Sequence, residues 1–258
     1  MDYPKYFCVV RIYVFIILLF AGTMSSAQIV NIENQRLMVS QEGWTGSFGL
    51  NLSYVKNTNE IWQAGGRFRV QYHKGRHTGL WLSEINFIKA GESNFLNNGF
   101  EHLRYNYEIQ DSGRLVFEAF RQMQYNKVQK IRLRSLFGAG LRYAVIDQDS
   151  AQVNIGVLPM LEFEDLTTNE NNRHLRLSSY LSFDFQFNQF VGVNSITYWQ
   201  PDILNFKDFR MSNETSLRSR ITKNLELRLI FRVTYDERPP EGIPNNTVYL
   251  LNGINYRF

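Results

Sequence analysis

Cysteine is nearly missing from this chain. Of 258 residues only Cys8 carries a thiol, and it falls within the first 27. Without that segment neither a disulfide nor a thiolate metal site is available. Histidine is scarce too, four in all, and shows no zinc spacing. A glycine-rich phosphate loop is absent. Beyond the N-terminal segment, no apolar run approaches the roughly 20 residues of a transmembrane helix. Mean hydropathy is negative, although 44% of the residues are hydrophobic and 15% aromatic. That balance excludes a helical membrane protein. It suits a barrel whose strands face water and lipid with alternate residues.

The first 27 residues read as a secretory signal peptide. Lys5 and Arg11 flank a short polar start, an apolar run spans Ile12 to Met24, and Ser25-Ser26-Ala27 offers a small-residue cleavage site before Gln28. The apolar core is short for an uncleaved anchor. Cleavage removes Lys5, Arg11 and Asp2, two positive charges and one negative, and takes the formal charge from +4 to +3. No cysteine stands at that site, so a lipoprotein anchor is not expected. What remains is enough for one domain. The expected division is a signal peptide at 1–27, a short N-terminal periplasmic segment at 28–42 and a barrel at 43–258.

From Gly43 onward, period-two alternation recurs. Phe48, Leu50, Leu52 and Tyr54 oppose Ser47, Gly49, Asn51 and Ser53. A long stripe of Ile131, Leu133, Phe137, Ala139, Leu141, Tyr143 and Val145 opposes Arg132, Arg134, Gly138, Gly140 and Arg142. Leu225, Leu227, Leu229, Phe231, Val233 and Tyr235 oppose Glu226, Arg228, Arg232 and Thr234. Weaker strands are read at Leu80–Lys89, Arg114–Tyr125, Phe190–Trp199 and Phe209–Ile221. The last stretch ends on Phe258, with Tyr256 and Ile254 on the same face. Such a terminal strand is the insertion signal met by the barrel-assembly machinery, and it pairs with the first strand to remove the sheet edge.

The connections fall into two sets. Lys74–Thr78, Asp111–Gly113, Asp147–Ser150, Asn188–Gln189 and Thr222–Asn224 are short and turn-like. Ala90–Gly99, Asp165–Arg173, Gln200–Asp208 and Glu237–Asn246 are longer. The fold expected is all-β, an antiparallel transmembrane barrel of about twelve strands (about ten to fourteen), both termini periplasmic, in the outer membrane of a Gram-negative bacterium. A soluble sandwich or lipocalin-like barrel would have to pack every apolar stripe into one core. The inside-out barrel gives those stripes to lipid, with Trp44, Tyr72, Trp81, Trp199 and Tyr235 near strand ends as interfacial girdles.

Several segments resemble one known family. Trp44-Thr45-Gly46 followed by Phe48-Gly49-Leu50-Asn51-Leu52 is similar to the first strand of the salt-induced outer membrane protein family, also catalogued as domain of unknown function 481. Gly138-Ala139-Gly140-Leu141-Arg142-Tyr143 resembles its glycine-rich central strand. Thr234-Tyr235-Asp236-Glu237-Arg238-Pro239-Pro240-Glu241-Gly242 and Ile254-Asn255-Tyr256-Arg257-Phe258 resemble its end. Asn57-Thr58-Asn59 stands where a Gly-Asn pair is expected after the first strand. The resemblance implies an outer-membrane barrel of undefined biochemical role, and its family name alone suggests a link to envelope or osmotic stress.

The inward face carries the distinctive chemistry. Expected there are Arg67, Arg69, Arg104, Arg132, Arg134, Arg142, Arg176, Arg218, Arg220, Arg228, Arg232 and Arg257. The acids Glu108, Glu162, Glu164, Asp184, Glu214, Glu226 and Asp236 share that face. Arginine's planar fork bridges carboxylates on neighbouring strands without losing charge. Such a face makes a structural ladder filling a narrow lumen, or a small passive channel that prefers anions because bases outnumber acids. The alternative function is a closed structural or interaction barrel without pore activity. An outer-membrane lipase fits less well: His174 and Ser178 share a face but lie roughly 13 Å apart along a strand. His73 and His77 flank a tight turn among cations, which suits a solvated turn better than a metal site. The expected partners are outer-membrane lipid, the assembly machinery and small solutes. No cofactor, no enzyme activity and no nucleic acid is expected, since the arginines face a lumen.

Overall fold

The computed structural model describes residues 42–56, 60–91, 93–222 and 224–256. The expected signal peptide, residues 28–41 of the expected periplasmic segment, Arg257 and Phe258 lie outside the described residues. The described chain is all-β. Its strands are β1 (Gly43–Lys56), β2 (Glu60–Lys74), β3 (His77–Ala90), β4 (Ser93–Glu108), β5 (Leu115–Asn126) and β6 (Ile131–Gln148). There follow β7 (Ala151–Leu166), β8 (Asn171–Gln186), β9 (Val191–Pro201), β10 (Phe209–Arg220), β11 (Leu225–Asp236) and β12 (Asn246–Tyr256). They form one twelve-stranded antiparallel sheet in which each strand pairs with the next in sequence. Among the described residues the ladders run from β1 to β12, and none joins β12 to β1.

Side-chain contacts between strands far apart in that order show that the sheet rolls up. The Tyr180 hydroxyl on β8 donates to Glu118 Oε2 on β5 at 2.8 Å. Arg210 on β10 reaches Glu162 and Glu164 on β7. The result is a barrel with its polarity inverted. Trp44, Phe48, Leu52, Leu141, Phe163 and Phe231 are exposed, while Arg134, Arg176, Glu118 and Glu162 are buried. Buried polar and charged residues outnumber buried apolar ones among the described residues. In water that arrangement would expose the apolar belt at great cost; in lipid it is the stable one. Strand length fits as well. The shortest strands, β9 and β12, have 11 residues, enough to cross a bilayer at a tilt. Ring contacts flank both ends of β1, with Trp44 against Tyr72 at 4.7 Å and Tyr54 against Trp62 at 4.4 Å.

The connections correct part of the expectation. Two of the long ones stand, at 202–208 and 237–245. The other two are short, because β4 begins at Ser93 and β8 at Asn171. At the start of β4 the Asn97-Asn98 pair hides the alternation, yet Asn86 Nδ2 donates to Asn98 Oδ1 at 3.2 Å across the ladder. The β2–β3 connection, expected short at Lys74–Thr78, is a tight turn of two residues, 75 and 76. Gly75 there has φ +54°, and its N–H donates to Glu42 Oε1 at 2.9 Å.

A bulge changes one inward assignment. The register of β6 against β7 shifts between Ile131 and Leu133, so Ile131 turns inward and is buried. Arg132 turns out of the interior, half-exposed, with Asp165 Oδ2 at 3.3 Å and Asn169 Oδ1 at 2.8 Å.

Candidate functional site: the charged interior

Two layers of charge fill the interior between β4 and β10. The first lies toward the 202–208 and 237–245 connections. Arg134 pairs with Glu164 directly across the β6–β7 ladder and also meets Glu162 Oε1 at 3.1 Å. Arg210 pairs with Asp236 Oδ2 at 2.8 Å on β11 and crosses the interior to Glu162 and Glu164. Arg176 donates from Nε to Glu162 Oε2 at 2.5 Å. Its other nitrogens hold the 202–208 connection, donating to the Asp208 carbonyl at 3.3 Å and to Asp208 Oδ1 at 3.0 Å. Arg134 and Arg176 are both 1% exposed. Every arginine fork here meets at least two acceptors, the condition under which buried charge is tolerated.

His174 stands at the edge of this layer and donates from Nδ1 to Asp202 Oδ2 at 2.6 Å. Burial alone would raise the Asp202 carboxyl. The bond from His174, a second from the Leu204 N–H at 2.8 Å and the charge of Arg176 outweigh it and hold Asp202 below the usual carboxylate range.

The second layer lies deeper. Glu118 Oε1 faces Arg142 Nε at 3.2 Å, and its other oxygen faces Arg104 Nη1 at 3.8 Å beside the Tyr180 hydroxyl. Tyr180 reaches that far because Gly156 lies beneath its ring: a Cβ on Gly156 would stand 2.1 Å from Tyr180 Cε1. Between the layers, Leu158, Tyr180, Ile196 and Tyr198 pack as an apolar cluster with Phe120 against it. The cavity left among His102, Arg134, Glu162, Tyr198 and Arg210 is about 30 Å³, room for one or two waters.

The remaining expected residues sit toward the other end or nearer the edge strands. Arg218 meets Asp184 at 2.9 Å, Arg232 Nε donates to Glu214 at 2.7 Å, and Arg228 Nε donates to Ser216 Oγ at 3.0 Å. Arg220 is exposed at the end of β10. Arg67 donates to Glu84 at 3.0 Å and is exposed, and Arg69 is half-buried beside it on β2. The inward positions of β1 differ from all of these: Ser47, Gly49, Asn51 and Ser53 are small and exposed. The interior is therefore filled on one side and lined by small polar residues on the other. At the terminal strand, Ile254 is exposed and Tyr256 pairs with Leu225.

Arg210, the hub of the first layer, is absent from the expected set although the two-residue period places it on the face of Glu214 and Arg218. The inward apolar residues Leu80, Leu82, Val116, Leu158 and Met160 were not expected either. For Leu158 and Met160 the signal was the continuous run Val157-Leu158-Pro159-Met160-Leu161, apolar on both faces. His174 turns to Asp202 and Ser178 to Gln200, so the two do not meet. His73 bonds Thr78 at 3.0 Å and His77 bonds Tyr105 at 2.6 Å, so these histidines also part. Among the described residues no group of three acidic, histidine or cysteine ligands could hold a metal ion.

A family model described as a protein of unknown function, DUF481, matches residues 44–258. No curated protein matches the chain in sequence. Among solved structures, the NanC porin is similar at 9% identity and a TM-score of 0.49, covering 81% of this chain and 100% of its own. The KdgM porin, solved in complex with disordered oligogalacturonate, is similar at 11% identity and a TM-score of 0.44, covering 80% and 98%.

Proposed function

The chain belongs to the DUF481 family of proteins of unknown function, and on that premise we propose that it is a narrow passive channel in the outer membrane of a Gram-negative bacterium. Its lumen is open along one wall only. The small inward residues of β1, Ser47, Gly49, Asn51 and Ser53, beside Arg67 and Arg69 on β2, carry this reading. The opposite wall is blocked by the two charge layers and the apolar cluster between them. Both termini face the periplasm in this reading, which puts the longer connections outside. In lipid β12 pairs with β1, because an open edge inside the hydrocarbon would leave backbone groups unsatisfied. The passage favours small anions, since Arg67 and Arg69 face Glu84 alone on β2 and β3.

The test is single-channel conductance of the refolded chain in planar bilayers under a salt gradient. Small, steady, anion-favouring steps support the reading. Large steps without ion preference contradict it. A folded barrel that passes no current supports a second reading, a closed interaction barrel, which the 30 Å³ interior cavity favours.

A further inference from the structure

The outward face of the barrel carries one charged patch. Away from the strand ends, among the described residues, Glu101 on β4 and Arg121 on β5 are the only acidic or basic side chains at outward positions. Their neighbours in the ladders are apolar or small: Leu103 pairs with Arg121, and Met123 with Glu101. Within one chain Glu101 forms no described ion pair, and Arg121 Nη2 is turned to Met123 Sδ at 2.8 Å. Mid-strand charges facing lipid are costly and are retained where something covers them. Beside the patch lies a cleft of about 500 Å³, walled by Tyr72, Trp81 and Tyr105 and floored by Gly79 and Ala119.

We infer that this face is the contact surface of a homodimer in the membrane, with Glu101 of each protomer paired to Arg121 of the partner subunit. The inference rests on the reading that this face meets lipid. The two charges occupy one diagonal of a four-residue rectangle, with Leu103 and Met123 on the other. A two-fold axis along the membrane normal brings each corner of the charged diagonal against its opposite sign. It also brings Leu103 close to its own copy. Gly79 and Ala119 leave room in the cleft for the partner's side chains.

The chain beyond residue 27 has no cysteine, so single cysteines report proximity directly. Outer membranes carrying Leu103→Cys are oxidised and run on a non-reducing gel, with Ile155→Cys on the outward face of β7 as control. The expected result is a disulfide-linked dimer from Leu103→Cys, at least tenfold above the control. Adding Glu101→Arg or Arg121→Glu lowers that yield tenfold, and combining both restores it. A yield equal to the control, or no restoration by the swap, overturns the dimer. So does a monomeric barrel whose Arg121→Glu variant loses binding to anionic-lipid vesicles, which assigns the patch to lipid. A chain that fails to fractionate with outer membranes overturns the membrane placement, and with it the premise of the dimer, whatever the cross-linking yield.

Discussion

Replacing Arg210 by glutamine tests how the interior is held together. Its side chain is 5% exposed and contacts Glu162, Glu164 and Asp236. The layer it belongs to holds three arginines (134, 176, 210) against four acids (162, 164, 208, 236). Removing one positive charge leaves Glu164 to Arg134, leaves Glu162 to Arg134 and to an Arg176 shared with Asp208, and takes the arginine away from Asp236. Breaking a buried pair by deleting one partner costs about 3–5 kcal/mol, because the orphaned charges stay desolvated. The exposed pair Arg67–Glu84 provides the contrast, and Arg67→Gln is expected to cost less than about 1 kcal/mol. The assay is urea unfolding of barrels refolded into lipid vesicles, followed by tryptophan fluorescence. Glu162→Gln with Arg210→Gln is expected to cost less than the sum of the two single changes, since each partner removes the other's penalty. An Arg210→Gln cost as small as that of Arg67→Gln, or additivity in the pair, would refute a load-sharing interior network.

Other outcomes follow from the same geometry. Arg67→Glu with Arg69→Glu turns the channel from anion to cation preference in a salt gradient, whereas Arg132→Gln leaves selectivity unchanged because Arg132 faces Asp165 outside the lumen. Gly140→Ala destabilises the barrel by roughly 1–3 kcal/mol, since the added Cβ would stand 2.1 Å from the Val157 carbonyl oxygen; normal stability of the variant would show that β6 and β7 can shift. The depressed Asp202 carboxyl contributes stability that is full above the ordinary aspartate range near pH 4 and fades as pH falls through its lower folded value. Asp202→Asn should remove that dependence when proteolysis of the 202–208 connection is followed from pH 5 to about pH 2. Closure in lipid predicts slow hydrogen exchange at Leu50 and Leu250, matching β6; fast exchange there would mean an open seam.

Strand number and the inverted polarity were legible because a two-residue period is long-lived in this chain. A barrel wall with lipid on one side repeats that signal twelve times. Four things were not. The bulge at Ile131/Leu133 leaves no mark in an alternation that already tolerates Ser135, so Arg132 was assigned inward with Arg134. The Asn97-Asn98 pair reads as a loop, though both pair with β3 and the Asn98 amide accepts from Asn86. The apolar part of the filled interior was hidden by the same alternation, which assigns polar residues to the lumen. Where Leu158 faces inward both faces are apolar, and at Ile196 and Tyr198 the inward side is apolar against an outward Ser195 and Thr197, so the period fails or inverts. Arg210 was within reach on the Glu214–Arg218 face. Its contact with β7 was not, because it depends on how far the sheet curls.

A lumen open along β1 and blocked on the side of β8 admits reagents along one wall only. Current through single-cysteine channels treated with a charged thiol reagent tests it most directly. Ser47→Cys on β1 is expected to react and cut the current, while Ser178→Cys, 4% exposed beneath Gln200, stays unmodified. Rapid block through Ser178→Cys with none through Ser47→Cys would contradict the account.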